Sequence, residues 1–254
     1  MTVVGLLHPG EMGTSVAAAL RSRGETVLWA SSGRSVATTE RARRAGLEDA
    51  GDVGELCRRC EILLSVCPPH AAVDVARTVK GFTGTYVDAN AISPATARSI
   101  AQLHDRFADG GIVGPPPEQP GTTRLYLSGG EAEHVAALFA GTNVDARVLG
   151  VEPGAASALK AAYAGWTKGS GALLLTVREL ARAEGVEHAL LEEWRLSIPE
   201  LEERLAGAER SAQRKGWRWI GEMEEIARSM AAQDLPDGFH EAAAEVYRRT
   251  AGES

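Results

Sequence analysis

An α/β fold, with a doubly wound sheet in the first half followed by an all-α C-terminal domain, is what this sequence predicts. Three observations carry the prediction. Short apolar runs alternate with helical patterns from Val3 to Phe139. A glycine-punctuated turn, Gly5 to Gly13, joins the first apolar run to the first helical one. From Ala155 the pattern is helical almost to the end, with breakers only at Gly185, Pro199, Gly216 and Pro236. The expected division is residues 1–152 and 153–254.

The elements follow in order. Val3 to Leu7 reads as a first buried strand, Thr14 to Arg23 as its helix, and Gly24 as the stop. Thr26 to Trp29 is a second strand and Arg34 to Ala45 a second helix, ended by Gly46. Glu61 to Val66 and Thr85 to Asp88 are further strands. Gly110 to Val113 and Arg124 to Leu127 read as shorter, later ones, followed by a helix over Ala132 to Phe139. Ala155 to Glu184 contains no proline. A thirty-residue helix is about 45 Å long at 1.5 Å per residue and needs partners along its whole length. A second copy of the chain is the economical source of them, so a homodimer through the C-terminal helices is expected.

Composition narrows the function classes. A 44% hydrophobic and 24% charged share is ordinary for a soluble globular chain and supplies a sizeable core. The net charge of -7 argues against a nucleic-acid partner, because phosphate backbones need a positive surface. Cys57 and Cys60 have C-x-x-C spacing, but no second pair completes a metal site, and Cys67 makes the count odd. The six histidines are scattered, so no metal is expected. Unpaired cysteines, no leader pattern and no apolar run of spanning length lead to an expected cytoplasmic location and no membrane partner.

The turn His8-Pro9-Gly10-Glu11-Met12-Gly13 sits between strand and helix at the start of a β-α-β unit. Such a turn brings backbone N–H groups and a helix N-terminus up to a diphosphate, the device of Rossmann-type nucleotide domains. The full G-x-G-x-x-G would have glycine at His8; Gly10 and Gly13 keep the other two places. The alternative is an ordinary strand-to-helix turn. After the second strand stands Ala30-Ser31-Ser32-Gly33-Arg34, with no acid to hold a ribose 2′-hydroxyl. Ser31, Ser32 and Arg34 offer a 2′-phosphate two hydroxyls and a guanidinium fork, which points to NADP.

Lysine occurs only at positions 80, 160, 168 and 215. Lys160 lies among small and apolar residues, and at helical spacing it shares a face with Tyr163, Thr167 and Ser170. Such a stripe can line a cleft, where a desolvated lysine serves as general acid or base. It equally fits a lysine that snorkels to solvent from a packed helix.

Taken together, the turn Gly5 to Gly13, the segment Val87-Asp88-Ala89-Asn90-Ala91-Ile92-Ser93-Pro94 and the helix start Gly154 to Lys160 resemble the β-hydroxyacid dehydrogenases of the 6-phosphogluconate dehydrogenase-like superfamily. Imine reductases are relatives of that group. The C-terminal stretch Trp217 to Tyr247 resembles its short phosphogluconate-dehydrogenase-like branch. The resemblance implies a hydride transfer between nicotinamide and a small hydroxy or carbonyl substrate. It implies Lys160 as the proton-exchanging residue, Asn90 as a residue placing substrate and nicotinamide, and Tyr163 where relatives have an assisting asparagine or histidine. Ser65-Val66-Cys67-Pro68 corresponds to the loop beside the cofactor ribose. The serine that grips a carboxylate in relatives is absent, and Val113 stands near its place. An imine reductase and a non-catalytic NADPH-binding protein are therefore the alternatives.

Overall fold

The computed structural model describes residues 1–252 and comprises two compact units, Met1–Lys160 and Ala161–Ser254. In the first unit the chain runs β1 (Val3–Leu6), α1 (Glu11–Ser22), β2 (Thr26–Trp29), α2 (Val36–Arg44), β3 (Glu48–Asp49), α3 (Val53–Arg59) and β4 (Ile62–Ser65). It continues through α4 (Ala72–Thr78), β5 (Thr85–Asp88), α5 (Pro94–Ala101), β6 (Phe107–Val113), β7 (Thr123–Ser128), α6 (Ala132–Leu138) and β8 (Val144–Gly150). The eight strands form one sheet in the order β3-β2-β1-β4-β5-β6-β7-β8. Every neighbouring pair is parallel except β6 with β7. The predicted doubly wound architecture is thus present.

The apolar runs explain why this sheet is covered on both faces. Val4, Leu6, Val27, Trp29, Ile62, Leu64 and Val87 face one core, packed by Val16, Ala17 and Leu20 of α1. Leu28, Leu63 and Tyr86, the alternate residues of the same strands, face the other with Leu56, Ala76 and Ile100. A strand buried on both sides reads as a continuous hydrophobic run, because period-2 alternation then separates two cores rather than core from water. The order reverses direction between β1 and β4, the switch point at which open α/β sheets form a binding crevice outside the strand carboxyl ends.

The sequence reading did not include β3, α3, α4 and α5, and it differs from the structure at three further places. β6 begins at Phe107 and is buried throughout, so Asp109 lies inside a strand. β8 pairs in parallel with β7, although Val144-Asp145-Ala146-Arg147 has too little apolar character to announce it. Gly216 does not break a helix. It lies inside α9 (Glu200–Ala231), buried, with the Tyr247 ring at van der Waals distance from where its Cβ would be. Packing of that face outweighs the ~1 kcal/mol that glycine costs a helix interior.

The sequence places a helix over Ala155 to Glu184, and the structure has the long α7 (Ala155–Ala183) there; α8 (Glu187–Ser197), α9 and α10 (Gly238–Gly252) complete the described residues. The second unit packs around Ala164, Ala172, Met223, Ile226, Ala243, Ala244 and Tyr247. Lys168 forms a part-buried ion pair with Glu222 and lies 5.3 Å from the centre of the Trp219 ring. His240 is buried against Gly165, its Nε2 3.2 Å from the Gly165 carbonyl oxygen. Among the described residues no helix is long and apolar enough to cross a membrane.

Candidate active site at the strand ends

At the carboxyl end of β1 the chain leaves the sheet through Leu7, whose N–H still bonds to Leu64 O at 3.1 Å. Gly10 then opens α1, with no side chain capping the helix. The first N–H groups of α1, at Glu11, Met12 and Gly13, are therefore directed out of the helix end without a local acceptor, together with the positive end of the helix dipole. Gly13 must be glycine: a Cβ there would stand 2.8 Å from His8 O. Gly10 has the opposite property, since a Cβ would meet nothing within 4 Å. One glycine lets α1 close on β1, and the other leaves the approach to the N–H groups open.

The side chains around this turn are left incomplete in a consistent way. His8 Nδ1, Thr14 Oγ1 and Arg34 Nε are buried with no hydrogen-bond partner. Burial, reinforced by the Arg34 charge, lowers the His8 pKa to about 4, so the imidazole is neutral at pH 7. Arg34 Nη2 donates to Leu7 O at 2.9 Å, and Arg41 Nη1 donates to Pro9 O at 3.1 Å. Two guanidinium groups thus flank the turn. Arg34 was expected from sequence; Arg41 was not, because the basic run Arg41 to Arg44 gives no hint which member turns inward. Arg43 and Arg44 pair with Glu40, and Arg41 reaches the turn. Orphaned polar atoms, uncapped N–H groups and two cations fit the diphosphate and ribose phosphate of a dinucleotide.

At the end of β2 the expected pair of serines divides. Ser31 bonds to the carboxylate of Asp49, which the β2–β3 pairing carries alongside, whereas Ser32 is exposed. An acid therefore stands near the end of β2 after all, supplied by β3. Sequence distance from Ser31 hid it.

Across the crevice, Ser65 to Pro68 leaves β4. Val66 and Pro68 are half-buried and Cys67 is buried; its thiol is pushed up to about 12 by burial, which disfavours the thiolate. Asn90 is 2% exposed and its amide is committed inward. Nδ2 donates to Asp88 Oδ2 at 2.9 Å and Ser65 Oγ at 3.1 Å, and Oδ1 accepts the Cys67 N–H at 2.5 Å. Asp88 also accepts the Asn90 backbone N–H at 3.0 Å. Asn90 thus ties the β4 and β5 exits together. Both of its amide hydrogens are used in doing so.

Lys160 belongs to the same unit and is half-buried. Its helix meets the sheet backbone to backbone: a Cβ on Gly111 of β6 would stand 2.8 Å from Ala156 O and 3.0 Å from Lys160 Cβ. Val113 is buried at 2% exposure and presents no polar group. Tyr163 lies in the second unit, 47% exposed. Thr167 turns back to bond the Tyr163 carbonyl at 3.0 Å, so its hydroxyl serves its own helix. All three cysteines are free.

Residues 181–250 match the family described as a domain of unknown function, DUF1932. The chain is 30% identical over 192 residues to an uncharacterized 28.5 kDa protein of Methanothermus fervidus, covering 74% of each. A solved conserved protein of unknown function, described as structurally similar to 3-hydroxyacid dehydrogenases, is 30% identical with a TM-score of 0.73, covering 98% of this chain and 96% of that one. The Aspergillus terreus reductive aminase, solved with NADPH and ethyl levulinate, has the same fold at 21% identity and a TM-score of 0.62, with 100% and 95% coverage.

Burial, with the Asp109 charge adding to it, raises the Asp88 carboxyl pKa to about 7, against about 3.9 in an unfolded chain. The folded state then holds a proton that the unfolded state has released, so this group's contribution to stability is lost as pH rises from about 4 to about 7. His8, lowered to about 4, acts in the opposite sense: its contribution grows as pH rises toward about 6.5. Asp88→Asn removes the first term only. In urea unfolding, the stability of the variant relative to wild type should rise between pH 5 and pH 7.5; a difference constant across that range would count against a proton on Asp88.

Proposed function

This chain belongs to the 6-phosphogluconate dehydrogenase-like superfamily, and from that premise we propose that it is an NADP(H)-dependent oxidoreductase of the β-hydroxyacid dehydrogenase type. The bound cofactor supplies hydride to, or takes it from, the carbon of a small hydroxy or carbonyl substrate. The observation that carries this reading is the backbone contact of α7 with Gly111, which sets Lys160 on the same unit as the uncapped turn.

The residues take these parts. The N–H groups of Glu11 and Met12, with His8, Pro9 and Gly10 shaping the turn, hold the diphosphate. Arg34 and Arg41, with Ser32 exposed beside them, carry the charge and hydrogen bonding for a 2′-phosphate, while Ser31 is held by Asp49. Val66, Cys67 and Pro68 border the ribose, and Asn90 holds that border in place. Protonated Lys160 gives its proton to the substrate oxygen in reduction and stabilises the negative charge that develops there. Tyr163 assists from the following turn of α7.

An imine substrate is the second reading. It is favoured by Val113, which offers no grip for a substrate carboxylate, and by the fold shared with a reductive aminase. A lysine ammonium repels an iminium ion, which is why the carbonyl reading stands first.

Assembly is proposed to be a homodimer through the C-terminal helices. In the second unit α7 exposes Trp166, Leu173 and Leu180 along one side. Apolar grooves of about 560 and 720 Å³ share Trp166, Ser170 and Leu173 in their linings. A ridge between two grooves is self-complementary about a two-fold axis, and an apolar stripe of this extent is costly to leave in water.

Lys160→Met should abolish turnover across carbonyl, alcohol and imine substrates yet leave NADPH affinity within about twofold; retained turnover would remove the lysine from the mechanism. Arg34→Ala should weaken NADPH binding by about tenfold or more, as expected for loss of a charge-assisted contact of 1.5–3 kcal/mol, and leave NADH binding nearly unchanged. Equal losses for both would show that Arg34 does not read the phosphate. Light scattering should give twice the chain mass for the wild type, and Leu173→Glu should halve it. A wild-type monomer would refute the dimer.

A further inference from the structure

Two residues before Gly111 on β6, Asp109 is completely buried and fastens the start of α7 to the sheet. Its Oδ2 accepts the N–H groups of Gly154 at 3.0 Å and Ser157 at 2.9 Å, and the Ser128 hydroxyl at 3.0 Å. Its Oδ1 accepts the Ser157 hydroxyl at 2.6 Å. Ser128 Oγ in turn accepts the Ala156 N–H at 3.1 Å. The opening N–H groups of α7 are thus satisfied from β6 and β7 rather than by a neighbour in sequence. The carboxylate also lies at the positive end of the α7 dipole.

Ser157 and Lys160 are three residues apart and share a helix face. Asp109 and Gly111 are two apart on β6 and share a sheet face. One bonded contact, Asp109 to Ser157, and one steric contact, Gly111 to Lys160 Cβ, therefore fix both the rotation and the axial position of the first turns of α7. We propose that Asp109, acting through Ser157 and Ser128, is a positioning residue that sets where Lys160 stands over β6. This rests on Lys160 being the proton donor, and no role in proton transfer is assigned to Asp109 itself.

The four lysines make the test direct. Brief acylation followed by peptide mass spectrometry reads Lys160 against exposed Lys80 as an internal reference, with and without NADPH. Asp109→Ala should change the Lys160-to-Lys80 rate ratio at least threefold at a temperature well below its Tm, and reduce protection by NADPH. Asp109→Asn, whose amide oxygen can still accept the three Oδ2 bonds, should return the wild-type ratio. If Asp109→Ala does not fold, the Ser128→Ala/Ser157→Ala double variant should show the change instead. A folded disruptive variant with the wild-type ratio, whatever its Tm, would overturn the proposal. Failure of NADPH to protect Lys160 in the wild type would instead overturn the catalytic reading of the lysine, and leaves the ratio across variants to judge the fastening alone.

Discussion

The close approach of α7 to β6 at Gly111 is the constraint on which the rest of the site depends. A helix can lie against strand backbone only where the strand offers no side chain, and Gly111 provides that opening beneath Ala156 and Lys160. Close approach alone leaves the helix free to slide and turn. It becomes a defined position only because Asp109, one pleat period away, accepts hydrogen bonds from the helix start. A buried carboxylate is costly unless its lone pairs are used, and here four donors use them. The same burial that makes Asp109 expensive makes it rigid.

Across the crevice the design is the reverse, since polar atoms are left without partners. Arg34 and Arg41 spend one N–H each on carbonyl oxygens of the turn, which parks the guanidinium groups beside it. The neutral state of His8 follows from the same neighbourhood, because burial disfavours the imidazolium and the Arg34 charge adds to that. An arriving phosphate would reverse that balance by pairing with the cations. One side of the crevice therefore has its buried polar groups satisfied, and the other carries two guanidinium groups beside polar atoms without partners.

Much of this was legible in the sequence where the physics is local. Continuous apolar runs identify strands buried on two faces, and the glycines after Val3 to Leu7 identify the turn. What escaped depends on distant partners. Asp109 in Phe107-Ala108-Asp109-Gly110-Gly111 looks like a loop, since an aspartate followed by two glycines is turn chemistry; its meaning comes from Ser157, 48 residues away. Asp49 and Arg41 were hidden in the same way, the first by strand pairing and the second by a choice among neighbouring arginines.

Asn90 shows why residue type and position do not by themselves give a role. A carboxamide at the end of a strand beside a nucleotide crevice invites assignment to a ligand, yet both its N–H donors end on Ser65 and Asp88. What remains is one lone pair on Oδ1 beside the bond from Cys67. A substrate oxygen cannot receive a hydrogen bond from this amide without breaking a buried one, at a cost of ~1–3 kcal/mol for the group left behind. Asn90 thus contributes by tying the β4 and β5 exits together rather than by offering a donor of its own.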